Sequence, residues 1–218
     1  MLKEIITKKG VITYTEATPI SGTKRLNLEV AKQNLLELKA LLDKHKIKFG
    51  LIYGTLLGAI REGNFIKHDE DIDLSMLDEH KEDLLDVLPE IIDIGFRIIR
   101  YNDKLLSIER NDEYIDFYFF RKTHSSYRKC DLGLKAKSTY LENTKSYKFL
   151  GEDFQIPVEA EKFLKELYGK DWKIPVRDVA ALDFNTYIIF RETIREKLPF
   201  LFLVLSKLKS FLRKTSLN

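Results

Sequence analysis

Asp71 and Asp73 are the residues whose types and spacing point first to chemistry. The segment "YGTLLGAIREGNFIKHDEDIDLSML", residues 53–77, carries five acidic residues, four of them packed into "HDEDID". On a strand, the period of two sets the carboxylates of Asp71 and Asp73 on one face, about 6.6 Å apart, with Ile72 and Leu74 turned to a core. Carboxylates that close repel each other, so the arrangement calls for either a solvated turn or a cation. Two of them side by side suit one or two hard divalent ions. Mg²⁺ takes oxygen ligands and keeps waters and substrate phosphates in its remaining positions. A third acid, Asp116, interrupts the apolar run "EYIDFYFF" between Ile115 and Phe117. It is costly to bury unless it is paired or binds a metal. If its strand lies beside that of Asp71 and Asp73, three carboxylates converge in the manner of a two-metal clamp for phosphoryl or nucleotidyl transfer.

The other half of the site precedes the acids. Gly54 and Thr55 end an apolar run and open a helical one. With no side chain at Gly54 a phosphate can approach the backbone, and a helix N-terminus offers unpaired amides. Gly58 allows another stretch of backbone to come close. A Gly-Thr turn, then D-x-D on a strand about 16 residues later, then an isolated strand acid, is the pattern of the nucleotidyltransferase superfamily.

These residues need elements to hold them. Residues 26–46, "LNLEVAKQNLLELKALLDKHK", place Leu28, Val30, Ala31, Leu35, Leu38, Leu41 and Leu42 on a helical stripe. "KFGLIYG" reads as a buried strand stopping at Gly54, and "TLLGAIREG" as a short helix closed by Gly63. "DIDLSM" is a second strand, followed by a helix from about Glu79 to Asp93 bent at Pro89. Three strand-like runs come next, "FRIIRY", "LLSIER" and "EYIDFYFF". Residues 121–145 show little period and read as loop or mixed structure. "YKFLGEDFQIPV" predicts a hairpin turning at Gly151–Asp153. "EAEKFLKELYG" predicts a helix ended by Gly169, and the remainder reads as helical, interrupted at Pro175 and Pro199. The lead-in, residues 1–26, is irregular or strand-forming, with "GVITYTEA" rich in β-formers. The expected fold class is α+β, a mixed β-sheet flanked by helices with a C-terminal helical extension.

Composition bounds the function. The 218 residues are 44% hydrophobic and 33% charged, which reads as a folded soluble chain. Lys and Arg number 37 against 34 acids, and a net charge of +3 gives no electrostatic case for nucleic acid. One cysteine, Cys130, excludes an internal disulfide and a cysteine-based zinc cluster within the chain. The N-terminus lacks the apolar core of a secretory signal, so the expected location is the cytoplasm. The longest apolar run, "LPFLFLVL", is far short of the roughly 20 residues needed to span a bilayer. It continues into "SKLKSFLRK", and residues 198–214 thus read either as a C-terminal helix packed on the domain or as a basic amphipathic helix on the inner face of a membrane.

The run "YGTLLGAIREGNFIKHDEDIDLSM" resembles the signature of the LicD family of phosphotransferases, which includes the fukutin-related proteins. Matching positions are Gly54, Thr55, Leu56, Leu57, Gly58, Ala59, Arg61, Gly63, Phe65, Ile66, Asp69, Asp71, Asp73 and Leu74. His68 stands where the family often has Trp, and Glu70 is a second departure; neither removes a carboxylate from the pair. "LYGKDWKIP", residues 167–175, resembles an element near the end of the family's domain. The resemblance is strongest over residues 34–120 and continues in order to about residue 176. It implies a nucleotidyltransferase-like catalytic domain over residues 27–176, between a lead-in of residues 1–26 and a helical extension of 177–218. It further implies transfer of a phospho-substituent, of phosphocholine or alditol-phosphate type, from a CDP-linked donor to a hydroxyl of a cell-surface glycan or glycolipid precursor. Asp71, Asp73 and Asp116 would hold Mg²⁺ or Mn²⁺, with Asp116 also a candidate general base. Gly54, Thr55 and Gly58 would cradle phosphate, and Arg61 would neutralise the diphosphate.

Other readings stay open beside this one. A nucleotidyltransferase moving NMP from an NTP shares the same residues, and a silent binding protein could keep the fold. Arg61 could instead pair with Glu62 or Glu70. Asp69 reads as a turn residue first and a supporting acid second, His68 as a loop histidine. His124 and Cys130 are too few for a structural zinc. Tyr168 and Trp172 read as core or capping residues before sugar-stacking ones, and Lys104, Arg121 and Lys122 as surface charges before phosphate contacts.

Overall fold

Helix α1 (Leu28–Lys44) forms where the apolar stripe predicts it. Asn27 starts it with an extended backbone, and its side-chain oxygen accepts from the amide of Val30 at 3.3 Å. Ala31, Leu35, Leu38 and Leu42 are its buried face. The computed structural model describes residues 1–17, 24–123, 126–130 and 134–175. The expected helical extension of 177–218, its basic apolar stretch and His124 lie outside these residues.

The strand expected to run to Gly54 is shorter. β3 is only Gly50–Leu51, because the next residue, the buried Ile52, is already the N-cap of α2 (Tyr53–Arg61). Tyr53 adopts φ 45°, a left-handed conformation that a bulky side chain takes only under constraint. Gly54 therefore lies inside α2 rather than at a strand end.

The main sheet is built from β3, β4 (Ile72–Leu77), β5 (Arg97–Asn102), β6 (Leu105–Arg110) and β7 (Glu113–Lys122), in the order β3-β4-β7-β6-β5. Two short strands, β8 (Tyr127–Lys129) and β9 (Lys135–Lys137), extend it from the end of β7. β4 runs parallel to β7 and the other pairings are antiparallel, so the sheet is mixed, as expected. Ile72, Leu74 and Met76 of β4 and Ile115, Phe117 and Phe119 of β7 are at most 1% exposed and make one face of the core. The intervening residues, Asp73 and Asp116 among them, lie on the other face.

The helix expected over 79–93 is broken. A 3₁₀ turn, Asp78–His80, leads into α3 (Lys81–Asp86), and α4 (Leu88–Asp93) follows after Val87. The break precedes Pro89, which sits in the first turn of α4 where its missing amide costs no hydrogen bond. The lead-in is a hairpin of β1 (Leu2–Thr7) and β2 (Gly10–Thr15), and it is fastened to β5 by the amide of Ala17, which donates to Ile99 O at 2.9 Å. Residues 121–145 hold more order than their sequence shows: β8, β9 and α5 (Ser138–Glu142). The second expected hairpin is β10 (Thr144–Phe149) and β11 (Glu152–Pro157), turning through Leu150 and Gly151, both at positive φ. α6 (Ala160–Tyr168) ends at Gly169, φ 94°.

Candidate active site

Asp73 and Asp116 stand directly opposite one another on β4 and β7. Asp73 is 6% exposed and Asp116 2%. Asp71 lies one residue before β4 begins, rather than within it as the alternation suggested, and is half-buried. The three carboxylates feel one another. Burial pushes Asp71 well above the usual carboxylate range, and the charges of Asp116, Asp69 and Glu70 push it further. Asp73 is raised by burial first and then by Asp71, Asp69 and Asp116. Asp116 is raised by burial, opposed mainly by Arg100.

α2 clasps Asp73 from both sides. The Gly54 amide donates to Asp73 Oδ2 at 3.0 Å, and the Asp73 amide donates to the hydroxyl oxygen of Thr55 at 2.8 Å. Two of the residues expected to cradle phosphate, Gly54 and Thr55, thus fix an aspartate. A Cβ at Gly54 would run into the Asp69 carboxylate, whose Cγ would lie 3.2 Å away. A Cβ at Gly58 would meet Asn64 O at 2.6 Å and Ile66 N at 3.0 Å, so that glycine lets the 64–66 loop pack on the helix, a close approach of backbone rather than of phosphate. Arg61 pairs with Glu62, its Nη2 2.5 Å from Oε1, and donates to the carbonyl of Trp172 at 3.4 Å.

Asp69 combines both of its expected roles. Its amide donates to Ile66 O at 3.0 Å in a turn, while its carboxyl, packed against Gly54, is pushed up to about 6 by burial. His68 is an exposed turn residue. Trp172 is 7% exposed, a buried residue as expected, and Cys130 is buried with its sulfur 3.5 Å from the Tyr53 hydroxyl. Arg121 pairs with Asp103 at 3.6 Å, and Lys122 is exposed.

The donor set fits a hard divalent cation chemically. It offers carboxylate oxygens alone, and Asp116 Oδ1 is buried with no partner at hydrogen-bond distance, although the Ser107 and Tyr118 hydroxyls flank the group. Among the described residues no group of three acidic, His or Cys side chains is placed to hold a metal ion by itself. Mg²⁺ does not require one, since one or two carboxylates with waters and substrate phosphates complete its shell.

A sequence model of LicD/FKTN/FKRP, nucleotidyltransferase domain, matches residues 46–159, just over half of the chain, and that span contains all three aspartates. The chain belongs to the LicD/FKTN/FKRP family. It is similar to the ribitol-5-phosphate transferase FKTN of Homo sapiens, 28% identical over 155 residues that take in 66% of this chain and 34% of the human protein. It is also similar to the uncharacterized protein RP689 of Rickettsia prowazekii (strain Madrid E), 35% identical over 79 residues, 36% of this chain and 29% of that one. The chain spans about a third of the length of these curated relatives. Among solved structures, the antibiotic-resistance factor ANT(2'')-Ia matches at 14% identity and a TM-score of 0.49, covering 87% of this chain and 98% of its own. The lincosamide antibiotic adenylyltransferase LnuA matches at 12% and 0.46, covering 72% and 95%.

Several residues at the site of this LicD-family chain escape a reading of the sequence. Arg100 of β5 donates from Nη2 to Asp116 Oδ2 at 2.9 Å and from Nε to Ser107 Oγ at 3.0 Å. Tyr114 and Tyr118 flank Asp116 at alternate positions on β7, and the Tyr53 ring packs edge-on against Tyr118, 5.1 Å between centroids. Tyr168, which the sequence did single out, lies at the end of α6 and is kept protonated by burial and by the charges of Asp73, Asp69 and Asp71. The only signal in the sequence was an arginine interrupting "FRIIRY" and the density of tyrosine around the acids.

Proposed function

We propose that this domain transfers a phospho-substituent, of phosphocholine or alditol-phosphate type, from a CDP-linked donor to a hydroxyl of a glycan or glycolipid precursor, with Mg²⁺ or Mn²⁺ held by Asp71, Asp73 and Asp116. The observation that carries it is the in-register pair Asp73–Asp116, buried on one sheet face with Asp116 Oδ1 unpartnered. Membership of the LicD/FKTN/FKRP family supports phosphotransfer, and similarity to a ribitol-5-phosphate transferase supports the alditol-phosphate class.

The bound cation would neutralise the diphosphate as charge builds on the leaving CMP. The chain's own residues do the rest. Gly54 and Thr55 hold Asp73 in place, and Gly58 seats the loop that leads to Asp69. Asp116 offers Oδ1 either as a ligand or as the base for the acceptor hydroxyl's proton. Tyr114 and Tyr118 of β7 stand on either side of Asp116 on the same face of the strand.

The test is a thermal-shift panel with the full chain, Mn²⁺, CDP-choline, CDP-ribitol, CDP-glycerol and the four NTPs, with Asp71→Asn/Asp73→Asn as control. A Mn²⁺-dependent rise with one CDP-linked donor, lost in the control, is the expected result. A rise with NTPs alone would replace phosphotransfer by nucleotidyl transfer, and silence with every donor would leave a binding protein on this fold.

A further inference from the structure

Four residues on four neighbouring strands stand in one transverse row: Asp73 on β4, Asp116 on β7, Ser107 on β6 and Arg100 on β5, each directly opposite the next. The last place in the row depends on an irregularity. β5 and β6 pair Arg97 with Glu109 and Ile98 with Ile108, but then Arg100, not Ile99, with Ser107. Ile99 is an extra residue, a β-bulge; paired regularly, the same residues would set Ile99 opposite Ser107 and Arg100 opposite Leu106 on the core face of the sheet. The bulge is secured from outside, since the carbonyl of Ile99 accepts from the amide of Ala17 at 2.9 Å. The bulge thus sets Arg100, and not Ile99, opposite Ser107 on the acidic face.

What that cation does follows from its contacts. The guanidinium binds one oxygen of a carboxylate that is 2% exposed and leaves the other, Oδ1, without a partner. Arg100 is itself 28% exposed at the side chain, and its Nε is taken up by Ser107. Its guanidinium is hydrogen-bonded to Asp116, and the acids Asp69, Glu70, Asp71 and Asp73 stand on the same stretch of chain as the other half of the site. Arg61, the other arginine near this face, is engaged by Glu62.

We propose that Arg100 is the built-in counter-ion of the acidic site: it offsets the charge of Asp116 while no divalent cation is bound, and it competes with an incoming cation for that carboxylate. The inference rests on the metal-binding part of the proposed function. A charge-balancing role and a plain structural role predict opposite signs. Arg100→Met removes a positive charge beside the cation position, so the metal-free protein loses stability while Mn²⁺ binds more tightly, roughly three- to tenfold. A residue that merely shapes the pocket would weaken Mn²⁺ binding when removed.

The experiment measures Mn²⁺ affinity by titration calorimetry, and melting temperature with and without Mn²⁺, on the full chain and on Arg100→Met, Arg100→Lys and Asp116→Asn/Arg100→Met. The expected result is tighter Mn²⁺ binding in Arg100→Met, a melting deficit that Mn²⁺ removes, and near-native behaviour in Arg100→Lys, which keeps the charge. In the Asp116→Asn background the Arg100→Met change loses its effect on metal-free stability. Unchanged or weaker Mn²⁺ binding in Arg100→Met, with binding intact in the native chain, overturns the inference alone. Absence of Mn²⁺ binding in the native chain overturns it together with the metal site.

Discussion

The backbone amide of Asp73 donates to the hydroxyl of Thr55 at 2.8 Å, at a point where Thr55 is only 1% exposed. That bond ties the first turn of α2 to β4, so the helix and the carboxylate move as one piece. Thr55→Val keeps the shape but leaves the amide of Asp73 buried without an acceptor, at a cost of about 1–3 kcal/mol. Thr55→Ser keeps the acceptor and loses only a methyl group, so it should cost clearly less. Chemical denaturation of the two variants checks the order, and Mn²⁺ affinity should fall with Thr55→Val alone.

Two glycines four residues apart in α2 should respond differently to alanine. In an ordinary helix interior each exchange would stabilise by about 1 kcal/mol. At Gly54 the new methyl meets the end of the Asp69 side chain, which can swing away, so the fold should survive while the site is disturbed. At Gly58 it meets the backbone of Asn64 and Ile66, which cannot. Gly58→Ala should therefore cost about 1–3 kcal/mol. Melting temperatures of both variants, with Mn²⁺ titrations of Gly54→Ala, decide the matter.

Asp73 is kept near Asp71 and Asp116 at an electrostatic cost in the metal-free protein. Asp73→Asn removes one of the mutually repelling charges, and the amide oxygen can still accept from Gly54. The metal-free variant should melt a few degrees higher, the equivalent of about 1 kcal/mol, while losing its response to Mn²⁺. A lower melting point in the variant would mean that the carboxylate is a structural asset.

Away from the site, Arg128 is 3% exposed and is held by Glu79 at 2.6 and 2.8 Å, Glu142 at 2.8 Å and the carbonyl of Phe120 at 3.1 Å. The guanidinium holds Glu79 below its usual range. A carboxyl group depressed on folding adds stability above its unfolded value and loses it as the pH falls through the folded one. The native chain should thus lose stability more steeply than Glu79→Gln as the pH falls below the ordinary glutamate range, and the gap between the two should close once Glu79 takes up its proton in the folded state. Melting curves between pH 3 and 7 show whether it does.

Much of this was legible from residue types. The D-x-D alternation and the lone strand acid located three carboxylates, because an aspartate buried among the aromatics of "EYIDFYFF" is costly without a cation or a charged partner beside it. The stripe of α1 and the strands around Asp116 followed from periodicity, because there one face is buried continuously. Local backbone exceptions were not legible. Tyr53 at φ 45° cuts β3 short, and the extra residue at Ile99 decides which way Arg100 faces. Neither leaves a mark in composition, since a tyrosine and an isoleucine are ordinary strand residues. The contacts of Gly54 and Thr55 with Asp73 were not legible for a related reason: the sequence shows that a backbone approaches, but not which group it meets.

β4 and β7 are neighbours in the sheet, yet β5 and β6 lie between them in the chain. The three later strands can zip together through short turns, a local and rapid process, whereas parallel docking of β4 along β7 must close a long loop first. The order of events on folding follows from this. The meander should form early with Asp116 and Arg100 already paired, and the aspartates should be brought together last, an order that φ-values at Ile108 and Leu74 would check. A chain still being synthesised cannot set Asp73 beside Asp116 until β7 has emerged.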